Sequence, residues 1–499
     1  MPRLFLLAVG GTGIRVTKAL INVLATGVQP QGQWTIVPVA LDPHRRNKDL
    51  LRTNAQLRRY ARLHEAVFEA KLDGEPWFGT PLVTLDAIGE QGRAARDGEL
   101  LAELTSLGDK KFSEYIGTSE MHGARRALVH ALYSQDQLDT HMDIGFVGNP
   151  GIGVVALDGL NEHSALRDLA SAFAEGDRIF IINSIFGGTG AAAFPRLLNL
   201  FRQADREGLP NANALKAATI GALSVQPYFR VGDGTGDDDR IKQDEFMQRT
   251  RAALRYYARA VKGEVDAFYT LGRNSAKSID NDPGEGGQQN PAHFAELAGA
   301  LAVLHFLDNK PGRSATSPSR TEEFAYGITA EPAGAVTFDV FDDRDRRRLL
   351  RPFSRFYLLC RYLAEAGEDE MRRHRQVEYL DSVSAGFADS RERSVLVDFV
   401  DDWRGWVDEM TQGDPELRLF TWRTDLAEGV NGLQPVARGG LGSIFGSKTK
   451  KLALTDVRDA LNAAAKSLTR DLEDLPYLLA VYQAALRKVA DETYAFPDD

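Results

Sequence analysis

The pattern of hydrophobic and polar positions changes character along the chain. Early on, short continuous apolar runs alternate with amphipathic stretches. Residues 4–9 and 34–41 read as buried strands, with a helix over 14–24 between them. Further strands are predicted at 178–182, 218–225 and 265–271, with helices at 192–204 and 244–262. Strand, turn, helix, strand is the opening of a parallel α/β sheet. Over 293–308, Phe294, Leu297, Ala298, Leu301, Leu304 and His305 recur at helical spacing, and alanines fill the other faces. A helix apolar on nearly all sides is a buried one.

Other segments are polar. Residues 44–141 read as mostly helical, with a basic beginning (Arg45, Arg46, Lys48, Arg52, Arg58, Arg59, Arg62) whose default reading is a solvated face. Residues 278–290 are a Gly/Asp/Asn/Gln loop, 310–321 a Pro/Ser/Arg linker, and 324–341 a strand pair around Pro332. From 349 onward the chain is helical and charged, interrupted by a glycine-rich stretch at 439–446. The expected organisation is therefore an α/β domain over 1–290 carrying a helical insertion at 43–143, a core helix at 291–309, a linker and strand pair at 310–348, and a mainly helical region at 349–499.

Two of the apolar strands run directly into glycine turns that open helices. The first turn is Gly10-Gly11-Thr12-Gly13 and the second Gly187-Gly188-Thr189-Gly190. Glycine lets backbone amides approach phosphate oxygens, and the positive end of a helix dipole adds to the attraction. Two such turns in one domain suggest a nucleotide polyphosphate held from two sides.

Composition narrows the field. The 499 residues are 43% hydrophobic, enough for real cores, and carry a net charge of −10, which argues against a general nucleic-acid binder. The single cysteine, Cys360, excludes an intramolecular disulfide and reads as a buried small hydrophobe. No apolar run approaches transmembrane length, and the apolar start is too short for a signal core, so a cytoplasmic protein that avoids the membrane is expected.

Five motifs in order over residues 4–275 resemble the tubulin superfamily, its bacterial FtsZ-like branch more than eukaryotic tubulin. The second turn, with Ala191 to Ala193 and Pro195 behind it, is similar to the family's GGGTG signature, with Phe186 in place of one glycine. The first turn is similar to the family's first phosphate loop, with Ile14-Arg15 where Gly-Asn is common. Gly148-Asn149-Pro150 is similar to its third loop and Gln226-Pro227 to its fifth. Residues 265–274 are similar to the strand whose terminal asparagine, here Asn274, reads the guanine edge. The resemblance implies a Rossmann-like GTPase fold with a parallel sheet, a long core helix and a mostly helical C-terminal region. It implies GTP or GDP as ligand, with Mg2+. His293 and Phe294 would begin the core helix beside the base; Arg15 and Asp42 are further candidate contacts.

In this family one protomer binds GTP and the next supplies acidic residues that orient water. Asp339, Asp342 and Asp343 follow the core helix, as that loop does, and are the preferred catalytic set. The rival segment, Asn290 to Glu296, leaves no core helix before it. The resemblance thus implies hydrolysis completed between copies in an oligomer or filament, with the helical C-terminal region free to meet a partner protein. Two other readings stay open. One is a nucleotide-dependent switch or scaffold without hydrolysis. The other is an NAD-dependent enzyme, because Gly11-Thr12-Gly13 with Asp42 is a partial dinucleotide fingerprint.

Overall fold

A computed structural model describes residues 1–43, 48–72, 74–88, 110–142, 146, 149–231, 243–261, 263–273, 278–279, 290–309, 321–326, 335–373, 376–436, 451–468, 471–472 and 474–497. Six strands form one parallel sheet: β1 (Arg3–Val9), β2 (Thr35–Leu41), β3 (Arg178–Ser184), β4 (Thr219–Val225), β5 (Ala267–Leu271) and β6 (Glu322–Tyr326), in the order β2-β1-β3-β4-β5-β6. β1 shows why the sheet is covered on both sides. Leu4, Leu6 and Ala8 belong to one apolar core, and Phe5, Leu7 and Val9 to another. Side chains alternate across a strand, so a continuously apolar strand needs helices on both faces.

On one face lie α1 (Gly10–Ala25) and α2 (Lys48–Ala70); on the other α3 (Pro150–Ala156), α4 (Ser164–Ala172), α5 (Gly188–Arg202) and α6 (Gln243–Ala260). The core helix α7 (Phe294–Asp308) is buried on nearly every side against α1 and the sheet. Beyond it pack α8 (Asp343–Tyr362), α9 (Arg391–Met410), α10 (Leu454–Ser467) and α11 (Asp474–Thr493), which share one core with α1, α2 and α7. Cys360 is buried on α8. Among the described residues, no helix is long and apolar enough to cross a membrane.

Two segments differ from the sequence expectation. Of the strand pair expected over 324–341, the described residues show one strand, β6, which extends the main sheet beside β5, and Phe338–Val340 forms a 3-10 turn; Pro332 lies outside the described residues. The charged run after it is already helical: the Asp342 side chain accepts a hydrogen bond from Asp345 N at 2.8 Å, which starts α8 six residues ahead of the expected 349. Within the expected insertion at 43–143, α2 is not peripheral: Leu50, Leu57, Tyr60, Leu63 and Val67 bury one of its faces against α1 and the C-terminal helices.

Candidate phosphate-binding crevice

The chain crosses from β1 to β2 on one side and then places β3 on the other side of β1. The carboxyl ends of β1 and β3 therefore flank the point where strand order reverses, the usual crevice of an open parallel sheet. Both glycine turns stand there. Gly10 has φ of +71°, a left-handed conformation that suits glycine. Gly13 and Gly190 are fixed by close approach. A Cβ on Gly13 would lie 2.7 Å from the Ala8 carbonyl carbon, and one on Gly190 2.8 Å from the Ser184 oxygen, so any side chain would push the helices off the sheet.

The two turns meet. A Cβ on Gly10 would fall 3.6 Å from Gly190 N and 3.7 Å from Thr189 Cβ. Neither α1 nor α5 has a side-chain cap or an acidic residue in its first turn. Their leading amides are left for another acceptor, and both helix dipoles present their positive ends to the same space. Gly11, Thr12, Gly187 and Thr189 are partly exposed, whereas Gly188 is buried.

Neighbouring loops close around the turns. Asn149 caps α3 through its backbone and accepts a hydrogen bond from Gln137 Nε2 at 3.3 Å; Pro150 takes the first helical position. A Cβ on Gly153 would sit 3.2 Å from Gly188 O, which places α3 against the second turn. Gln226 N donates to Leu271 O at 2.6 Å and Arg273 N to Pro227 O at 3.2 Å, tying the end of β4 to the end of β5. Asp42 is buried at the end of β2. Gly148 and Asn274 lie outside the described residues.

Under the second turn is a polar network with no sequence signature of its own. Asn183 Nδ2 donates to Tyr257 OH at 3.0 Å, Tyr257 OH donates to Ala191 O at 3.1 Å, and Ser224 Oγ donates to Asn183 Oδ1 at 2.9 Å. These bonds hold the start of α5 over β3 and β4. Phe186, beside the second turn, packs on Tyr228, Phe229 and Phe246 with ring centroids 5.4–6.3 Å apart. Its bulk therefore anchors the second turn to the segment after β4.

Arg15 is already engaged by groups of the protein. Its guanidinium sits against the buried Glu296 carboxylate of α7 and donates to Pro291 O at 2.8 Å. Burial pushes the Glu296 carboxyl up, and Arg15 pulls it back. The rival acidic segment thus serves the entrance of α7, where His293 caps the helix by accepting from Ala295 N at 3.0 Å. Burial lowers the His293 imidazole to about 4, so it is neutral. Its ring lies 4.6 Å from that of Tyr228. Phe294 is partly exposed beside it. Glu409, from the end of α9, accepts from Ala292 N at 2.9 Å and pairs with Arg52 of α2 at 2.7 Å. The start of the core helix is held from α1, α2 and α9 together, a set of pairings between residues far apart in sequence.

Asp339, Asp342 and Asp343 are exposed; Phe341 just ahead of Asp342 touches Phe294 at the start of α7, with ring centroids 6.3 Å apart, while Arg344 and Arg348 behind it reach the end of that helix. Asp339 pairs with Arg346 at 2.9 Å, and Asp342 caps α8. Asp308, the last residue of α7, binds Arg348 at 2.6 Å and Arg344 at 3.1 Å. Among the described residues, no group of three or more His, Cys, Asp or Glu is arranged to hold a metal ion.

The chain is an α/β protein with a six-stranded parallel sheet, and its site is a glycine-lined crevice at the switch point of that sheet. Comparison with protein-family models, curated proteins and solved structures gave no match.

Proposed function

We propose that the crevice binds the polyphosphate of GTP or GDP, and that the chain is a tubulin- or FtsZ-like nucleotide-binding protein. The observation that carries this reading is the meeting of the two uncapped turns, Gly10 lying within van der Waals reach of Gly190. One triphosphate can then touch both sets of amides. The ordered motifs support guanine as the base. Mg2+ fits this donor set as an ion held mostly by phosphate oxygens and water, because Mg2+ keeps much of its hydration and needs few protein carboxylates.

Hydrolysis would be completed between copies. The aspartates are exposed, and a head-to-tail neighbour is the geometry that would bring Asp339, Asp342 or Asp343 to the γ-phosphate. A nucleotide-dependent switch that does not hydrolyse is the second reading. It draws on α8 to α11, which place helices where the FtsZ-like family carries a sheet-containing domain.

Equilibrium binding with fluorescent GTP, competed by GDP, ATP and NAD, tests the proposal. Thr12→Glu and Thr189→Glu each put a carboxylate into the cradle without disturbing a glycine. Each should weaken GTP binding at least tenfold, about 1.4 kcal/mol or more. NAD binding without GTP binding, or unchanged GTP affinity in Thr189→Glu, would overturn it.

A further inference from the structure

The C-terminal helices enclose a cavity of about 300 Å3, separate from the crevice. It opens between α9, α11 and a single π turn, Leu363–Gly367, that continues α8. Interiors are normally packed to the density of organic crystals, and π turns recur at functional sites. Leu396 and Val400 of α9, Leu478 and Tyr482 of α11, and Met371 give the cavity apolar walls.

Charge is placed at the two ends of the α9 wall, and a further lining carboxylate, Glu368, is exposed and paired with Arg372. Arg393 is half-buried and donates to Ala388 O at 3.2 Å; among the described residues no carboxylate pairs with it. Asp401 is exposed at the opposite end. From Arg393 to Val400 the helix rises about 10 Å, the length of an extended chain of about eight carbons. Burial pushes the Tyr482 phenol up to about 12, so it stays neutral in the wall.

We propose that this cavity binds a small amphiphilic monocarboxylate, with its chain lying along Leu396 and Val400 and its carboxylate on the Arg393 guanidinium. Guanidinium and carboxylate form the stronger, charge-assisted type of hydrogen bond. Asp401 repels a second carboxylate at the tail end, so the site selects monoacids over diacids of equal length. The proposal is independent of nucleotide binding.

Calorimetric titration of the full chain, without nucleotide, tests it. Octanoate should bind at least tenfold more tightly than octanol or octanedioate. Hexanoate should bind about tenfold more weakly than octanoate, since each buried methylene contributes about three- to fourfold. Arg393→Met should remove at least tenfold of the octanoate affinity and leave octanol within twofold. Leu396→Trp, which fills the cavity, should abolish binding of both. Should that variant fail to fold by circular dichroism, the octanoate-to-octanol ratio in Arg393→Met decides alone. Absence of octanoate binding to the unaltered chain, or an unchanged ratio in Arg393→Met, overturns the proposal.

Discussion

Helix beginnings in this molecule are treated in two opposite ways. At the crevice, α1 and α5 start with glycine, without a side-chain cap and without a first-turn acid. At α8, Asp342 caps the first turn, and Asp343 and Asp345 sit within it. The positive end of a helix attracts a carboxylate wherever one is within reach. α8 satisfies that attraction from its own sequence, whereas α1 and α5 leave it open in one shared space. The difference separates a structural helix start from one available to an anion, and it does so in side chains and backbone angles rather than in a motif.

The two ends of α7 carry the contrast into energetics. At the amino end both partners of the Arg15–Glu296 pair are nearly out of solvent. At the carboxyl end Asp308 is buried too, but it is shared between two arginines, Arg348, mostly buried, and Arg344, about half exposed. Removing one member of a buried pair strands the other charge, so Glu296→Ala should cost about 4 kcal/mol by urea unfolding. Asp308→Ala should cost about 2 kcal/mol, since Arg344 can turn to water and Arg348 keeps its bond to Gln29 O. Replacing both Arg15 and Glu296 by Met should recover much of the first loss. An equal cost at the two ends would remove the contrast.

Acid should act on the two ends with opposite signs. The folded state holds the His293 imidazole at about 4, below its ordinary 6.5, because of burial. The unfolded chain then binds the extra proton between pH 6.5 and about 4, so stability from this group is present above 6.5 and falls by up to about 3 kcal/mol on acidification. At the other end, burial and Asp342 raise the Asp345 carboxyl to about 6. There the folded state holds the extra proton, and acidification favours folding. Urea midpoints from pH 7.5 to 4.5 should therefore fall less steeply in His293→Gln than in the unaltered chain, and more steeply in Asp345→Asn.

Much of the sheet was legible in the sequence because a parallel strand buried on both faces must be a continuous apolar run, and β1, β3 and β4 are such runs. The core helix was legible for the same reason in helical form. β6 was read as part of a strand pair over 324–341 because the run Phe324-Ala325-Tyr326 fits any half-covered strand, and pairing with β5 depends on residues 55 positions away. The glycine turns were legible singly; their meeting depends on strand order, which no local pattern encodes. Arg15 looked like a phosphate contact because it follows the turn. Its partner Glu296 lies 281 positions later, so nothing local could assign it. Phe186 was legible only as a departure from a signature, since the aromatic side chains that explain it come from the segment after β4 and from α6.

The smallest expected effect bears most directly on whether the α8 carboxylates serve only their own helix. Asp342→Ala removes a cap and should cost about 1 kcal/mol, whereas Asp342→Asn keeps an equally good cap and should change stability by less than about 0.5 kcal/mol. If Asp342 acts only as a cap, Asn leaves GTP binding and turnover unchanged. If it also faces the γ-phosphate of a neighbouring copy, Asn should lower GTP turnover at least tenfold, with GTP affinity unchanged, because the carboxylate is lost where charge and a water proton must be managed. Asp343→Asn supplies the control: its carboxylate is in the first turn but does not cap it. Turnover that survives in both Asn variants would confine these aspartates to the folding of α8 and leave the crevice as a binding site alone.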